Sequence, residues 1–180
     1  VPETDVEAVR REMVTPFGLS KVSRVVPGGA RRQDSVWNGL KTLGSDVNVV
    51  LVHDGVRPFV SPETIHQAAT EALACGAAIV AVPVKDTIKV CDENRRIVET
   101  PDRENLWQAQ TPQAFRRELL VRAYKAAERD GHRGTDDASL VERLGYPVKV
   151  IPGTYDNIKI TTPEDLLVAE AWMRGKACCT

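Results

Sequence analysis

Two short, almost unbroken apolar runs give the strongest pattern in the chain, one over 47–52 (Val47, then Val49-Val50-Leu51-Val52) and one over 77–84. Runs of this length, rich in β-branched residues, predict strands buried on both faces of a sheet that helices cover. The first stops abruptly at His53-Asp54, and Gly55 and Pro58 mark the turn that follows. Ligands in open α/β sheets collect at the carboxyl ends of strands, so Asp54 and Arg57 stand where chemistry is expected. The plainer reading is that Asp54 caps the turn and Arg57 is solvated.

Helical periodicity fills the spaces between these runs. Over 116–130, Leu119, Leu120, Ala123, Tyr124 and Ala127 recur on one face. Ser61-Pro62-Glu63 has the form of a helix start, with a cap, a proline at the first helical position and an acid in the first turn, and that helix is expected to reach about Cys75-Gly76. Further helices are expected over 4–13, 36–43 and 135–145, and one begins at the capping box Thr162-Pro163-Glu164-Asp165. Strands are also expected over 21–26, 148–151 and 158–160. Strand and helix thus alternate, which predicts an α/β fold with a doubly wound, mostly parallel, Rossmann-like nucleotide-binding sheet.

One stretch breaks that rhythm. Residues 85–91 and 97–100 alternate polar and apolar positions around a turn at 92–96, the pattern of a hairpin. A two-stranded arm is marginal alone, so the 85–104 segment is expected to lie against a second copy of the chain, giving a homodimer; the plainer reading is an arm folded back on its own domain. Beyond it Trp107 and Phe115 are expected to anchor in the core, while Gln110, Thr111 and Gln113 either satisfy loop backbone or line a site.

Composition narrows the function classes. The chain has 180 residues, 42% hydrophobic and 27% charged, with 24 Lys and Arg against 25 Asp and Glu. That is a single globular domain of ordinary make-up, without the charge excess that draws a protein to nucleic acid or to a membrane surface. No apolar run approaches the ~20 residues that span a bilayer. Cys75, Cys91, Cys178 and Cys179 lack metal-type spacing and suit free thiols in a reducing cytoplasm, and His53, His66 and His132 make no ligand set. Any metal is therefore expected to be a hard cation held by oxygens and substrate phosphates. The chain opens at Val1-Pro2 without a Met and reads as starting inside a domain.

Several small motifs carry candidate chemistry. In 27–35, Gly28-Gly29 ahead of a helix lets backbone N–H groups approach a ligand, with Arg31 or Arg32 near phosphate; otherwise it is an ordinary loop with Asp34 or Ser35 as cap. Thr135 or Asp136 reads as a plain N-cap. Lys159 stands as a lone cation between two isoleucines, suited either to a solvated edge or to a phosphate.

Taken in order, these motifs resemble the 2-C-methyl-D-erythritol 4-phosphate cytidylyltransferases of the non-mevalonate isoprenoid pathway. Gly28-Gly29-x-x-Arg32-x-x-Ser35-Val36 looks like the family's cytidine loop, and His53-Asp54-x-x-Arg57-Pro58 like its central strand end. Lys85-Asp86-Thr87-Ile88-Lys89 looks like the opening of its dimerisation arm. Asp102-Arg103, Leu106-Trp107-x-x-Gln110-Thr111-Pro112-Gln113, Thr135-Asp136-x-x-Ser139 and Asn157-Ile158-Lys159-Ile160-Thr161 follow in register. The resemblance implies an enzyme that joins CTP and 2-C-methyl-D-erythritol 4-phosphate, giving 4-diphosphocytidyl-2-C-methyl-D-erythritol and pyrophosphate. It implies catalytic Arg103 and Lys159, and nucleotide contacts from Gly28, Gly29, Ala30, Ser35 and Asp54. Substrate contacts would come from Arg57, Thr87, Arg103, Thr111, Thr135 and Lys159, and Mg²⁺ or another divalent cation would meet Asp54. A cytoplasmic or plastid-stromal location goes with it. The family carries a first strand and a Gly-rich loop gripping the CTP triphosphate ahead of these motifs, and this chain holds no such segment. It is therefore expected to be an N-terminally incomplete nucleotidyltransferase domain, inactive by itself. The alternatives are a sibling enzyme for another polyol phosphate such as ribitol 5-phosphate, and a non-catalytic nucleotide-binding or dimerisation module.

Overall fold

The computed structural model describes residues 1–177, so Cys178 and Cys179 lie outside the described residues. In chain order the helices are α1 (Val6–Val9), α2 (Arg32–Lys41), α3 (Pro62–Cys75), α4 (Arg117–Arg129), α5 (Asp137–Glu142) and α6 (Pro163–Ala177). The strands are β1 (Val49–Val52), β2 (Ala77–Pro83), β3 (Val90–Cys91), β4 (Ile97–Glu99), β5 (Trp107–Arg116) and β6 (Lys149–Pro152). Strand and helix alternate as an α/β fold requires, with the β3–β4 hairpin set between β2 and β5. No described helix is long and apolar enough to cross a membrane.

The chain forms two compact units, one of Val1–Val50 with Arg116–Pro147, the other of Leu51–Phe115 with the residues from Val148 onward. In the first unit, α4 buries the predicted five, Leu119, Leu120, Ala123, Tyr124 and Ala127. The Trp37 ring of α2 stacks on Tyr124 with centroids 5.4 Å apart. Asp136 caps α5 through a reciprocal pair of bonds with Ser139. The predicted helix over 4–13 is present as α1 flanked by a 3₁₀ turn (Glu3–Asp5) and a wider π turn (Arg10–Val14). The strand expected over 21–26 is irregular instead. Its β-branched residues predicted a strand, yet no ladder partner is offered; Val26 accepts from the Val1 amino group, and the Gly28 N–H donates to the Val1 carbonyl.

The four-stranded sheet runs β1-β5-β2-β6, and in the second unit β2 is antiparallel to β5 and parallel to β6. Five of the seven β2 residues, all Ala or Val, are buried, and α3 packs on it through the fully buried Ala68 and Ala72, whose small size lets helix and sheet approach closely. Ser61 caps α3 by accepting from the Thr64 N–H at 3.1 Å. Gly76 ends that helix at φ 95°, a left-handed conformation suited to glycine. Phe115 anchors as expected, fully buried at the end of β5, whereas Trp107 is 42% exposed. Trp107 pairs with Pro83, the last residue of β2 and itself exposed. The predicted strand over 158–160 is irregular as well: Ile160 donates its N–H to the Val56 carbonyl and joins no ladder.

Candidate active site

β5 sets the geometry of the second unit's site. Ile79 pairs with Gln113 and Ala81 with Ala109, so Val80 alone stands opposite residues 110–112. A bulge of this kind re-aims side chains and bends the strand. It turns two successive polar residues inward, leaving Gln110 at 6% and Thr111 at 4% exposure. Buried polar groups need partners. Gln110 Nε2 donates to the Thr154 carbonyl at 2.9 Å, and its Oε1 accepts from Asn157 Nδ2 at 3.2 Å. Asn157 Nδ2 also donates to the Thr111 carbonyl at 2.9 Å. The network leaves no room for a side chain at 153, where a Cβ on Gly153 would come within 2.6 Å of both Gln110 Oε1 and Val80 Cγ1.

This scaffold brings together four residues expected from the sequence. The turn after β1 carries Asp54 and Arg57, and the segment after Asn157 carries Lys159. Asp54 Oδ2 lies 3.2 Å from Lys159 Nζ and 3.7 Å from Arg57 Nε. Arg57 Nη1 donates to the Asn157 carbonyl at 2.7 Å, and the Asp54 N–H donates to Thr111 Oγ1 at 3.1 Å. His53 completes the turn, its Nδ1 2.9 Å from Thr111 Oγ1 and its Nε2 3.0 Å from the Arg57 carbonyl oxygen. Burial pulls the Arg57 guanidinium below its ordinary value, and the Asp54 carboxylate partly restores it. Arg57, Gln110, Asn157 and Lys159 line a cavity of about 390 Å³. Two cations facing one carboxylate leave one positive charge in surplus, the condition for holding an anion in a partly desolvated cleft.

The other candidates fall elsewhere. Arg103 Nη1 donates to the Lys85 carbonyl at 2.7 Å, bridging the two sides of the β3–β4 hairpin, and Thr87 is exposed ahead of β3. Gly28, Gly29, Ala30 and Ser35 belong to the first unit, where helix α2 begins at Arg32, four residues earlier than predicted, without a side-chain cap. Ser35 is therefore not a cap. Its Oγ accepts from the Gly29 N–H and donates to the Arg31 carbonyl, each at 3.0 Å. A Cβ on Gly29 would fall 2.3 Å from Asp34 Cβ, so the loop turns back on the helix more closely than any side chain permits. Thr135 is exposed and sits beside Gly134, whose N–H donates to Gln33 Oε1 at 3.1 Å while Gln33 Nε2 donates to the His132 carbonyl at 3.3 Å. Asp137, fully buried, pairs with Arg32 at 2.8 Å and accepts from the Tyr124 hydroxyl.

Among the described residues no cluster of three or more His, Cys, Asp or Glu side chains could cage a metal. A magnesium ion needs no such cage, since one carboxylate plus substrate phosphates and water commonly suffices. Asp54 fits that donor set. Sequence reasoning missed Asn157, His53 and Gln33 as contributors. The signal available was an Asn-Ile-Lys run after a loop and a strand-end histidine, and neither spacing discloses a hydrogen bond made roughly fifty or a hundred residues away.

A family model described as 2-C-methyl-D-erythritol 4-phosphate cytidylyltransferase matches residues 3–175. The chain belongs to that family. The 2-C-methyl-D-erythritol 4-phosphate cytidylyltransferase of Syntrophus aciditrophicus is 50% identical to it over 174 residues, covering 97% of this chain and 74% of that protein. The relative of the same description from Alkaliphilus oremlandii is 48% identical over 172 residues, 96% of this chain and 73% of its own length. Among solved structures, the 4-diphosphocytidyl-2C-methyl-D-erythritol synthase of Anaerococcus prevotii superposes with a TM-score of 0.84 at 35% identity, over 96% of this chain and 78% of that one. The likeness to this cytidylyltransferase family thus extends along both units.

Proposed function

We propose that the protein is a cytidylyltransferase that joins CTP to 2-C-methyl-D-erythritol 4-phosphate. Membership of the family supports the reaction, and the cluster in which Lys159 and Arg57 share one oxygen of Asp54 is the observation that carries the substrate assignment. An oxygen of the polyol phosphate attacks the α-phosphorus of CTP. A new P–O bond forms as the bond from that phosphorus to the bridging oxygen breaks, and the electron pair leaves with pyrophosphate. The chemistry asks the protein mainly for positioning and charge stabilisation.

Arg57 and Lys159 neutralise the attacking phosphate and thereby offset its repulsion from the triphosphate. Arg103, Thr87, Thr111 and Thr135 serve the same substrate. Gly28, Gly29, Ala30 and Ser35 meet the cytidine, where an exposed backbone reads the base edge. Asp54 holds Lys159 in place, meets the nucleotide and is the carboxylate that would hold Mg²⁺ or another divalent cation, which would supply charge neutralisation to the phosphates. The arm is proposed to pair two copies, since Ile97 and Val98 stand 61% and 63% exposed on a two-stranded ribbon that has little stability of its own. A cytoplasmic location suits the free thiols Cys75 and Cys91.

The test is pyrophosphate release by the full-length enzyme from CTP with 2-C-methyl-D-erythritol 4-phosphate and, in parallel, with ribitol 5-phosphate. Turnover at least tenfold faster on the first is expected. Faster turnover on ribitol 5-phosphate would reassign the substrate, and CTP binding without turnover on either would leave a nucleotide-binding module.

A further inference from the structure

The turn that presents Asp54 and Arg57 is fastened by a side chain with no role in the assignments above. His53 is exposed, yet both its ring nitrogens are engaged, Nε2 at 3.0 Å from the Arg57 carbonyl oxygen and Nδ1 at 2.9 Å from Thr111 Oγ1. The chemistry of the partners fixes the direction of each bond. A carbonyl oxygen only accepts, so Nε2 carries the hydrogen. In the neutral ring Nδ1 is then an acceptor, and the Thr111 hydroxyl must donate to it. The same hydroxyl oxygen accepts the Asp54 N–H at 3.1 Å. A single ordered chain results: the Asp54 N–H donates to Thr111, the Thr111 O–H to His53, and the far side of the ring donates to Arg57.

We infer that His53 is a positioning residue that ties both ends of the 53–57 turn to β5 and fixes the hydrogen of Thr111. This rests on the reading that Asp54, Arg57 and Thr111 serve the phosphorylated substrates. Thr111 is 4% exposed and held in the bulge of β5, so it is the rigid post; the turn, with exposed Gly55 and Val56 at its centre, is the part that needs holding. Without the ring, the Arg57 carbonyl loses its tie to the start of the turn. Arg57 is then set only by the carbonyl of Asn157 at 2.7 Å and by Asp54 at 3.7 Å. The second consequence concerns selectivity. Because the one hydrogen of Thr111 is committed to His53 and one lone pair to Asp54, only an oxygen lone pair remains for a ligand. Thr111 thus suits a hydroxyl of the polyol, which can donate, and not a phosphate oxygen, which cannot.

Two measurements test this. Long-range ¹H–¹⁵N correlation spectra of the full-length enzyme, with the His53 signals assigned by their loss in His53→Gln, are expected to show the neutral ring with its hydrogen on Nε2. A hydrogen on Nδ1, or an averaged pair of signals, would overturn the proposal without reference to turnover. In kinetics, His53→Ala is expected to lower kcat/KM for the polyol phosphate by about tenfold or more. His53→Asn keeps an acceptor near the Nδ1 position and is expected to recover part of that loss at equal thermal stability. Unchanged kinetics in His53→Ala, or no recovery in a stably folded His53→Asn, would refute the role. Wild-type enzyme without turnover, in contrast, would refute the substrate reading and leave the spectroscopic result standing.

Discussion

Asp54 has a demanding position, since one of its oxygens faces both Lys159 and Arg57. Removing either cation changes how the other is held as well as the charge offered to a phosphate. Lys159→Ala is accordingly expected to lower kcat/KM by at least tenfold, equivalent to about 1.4 kcal/mol, with an unchanged circular dichroism spectrum, and Arg103→Ala, proposed to serve the same substrate from its place on the Lys85 carbonyl, is expected to do likewise. Full activity in either variant would remove that residue from the assignment. Tyr124 poses a second question of charge. Its hydroxyl is buried against Asp137, and desolvation first, then the neighbouring carboxylate, push its ionisation well above the ordinary value. A group whose value is raised by folding stabilises the fold below its unfolded value and ceases to do so as pH climbs towards the folded one. Stability should therefore fall from about pH 10 upward, where the unfolded chain releases a proton that the folded chain keeps. The ring ζ-carbon resonance of Tyr124 at about pH 10.5 should still be that of the neutral phenol, and a phenolate there would contradict the burial argument. At this scale the chemistry-bearing residue types were readable from the chain, because Asp, Arg and Lys at strand ends are conspicuous. Their supporting contacts were not. The bond from Arg57 to the backbone of Asn157 spans a hundred residues, and no local pattern encodes it.

Among the elements, those whose stability is local were predicted closely. The α4 helix carries its own 3.6-residue period, and α3 carries its own cap and terminator, so both are written in adjacent residues. β5 was not foreseen. Its polar residues disguise a strand, and only the pairing with β2 and the bulge opposite Val80 explain how Gln110, Thr111 and Gln113 can be buried together. The segments at 21–26 and 158–160 fail for the converse reason, since their composition suits strands but no ladder takes them in. The β3–β4 hairpin was legible from alternation, and its purpose is open to test. Replacing the exposed Ile97 and Val98 by lysine adds charge at two positions that contribute nothing to the core. By sedimentation velocity, wild-type enzyme is expected to run as a dimer and the double variant as a monomer of unchanged fold. A variant that stays dimeric would put the interface elsewhere.

At the scale of the whole molecule, the family match and the alternation of strand and helix agree on the fold class, and the apolar runs with the helical periods between them were enough to reach it. The path of the backbone through its two units was not legible, because compactness depends on contacts that no sequence window contains. That path crosses from one unit to the other at 50/51, 115/116 and 147/148. No single scission can therefore free either unit intact. A nick at 115/116 gives one fragment with the opening portions of both and another with the closing portions, so each piece lacks what the other supplies. Neither half holds a whole unit, which makes this polypeptide ill suited to dissection into independent modules.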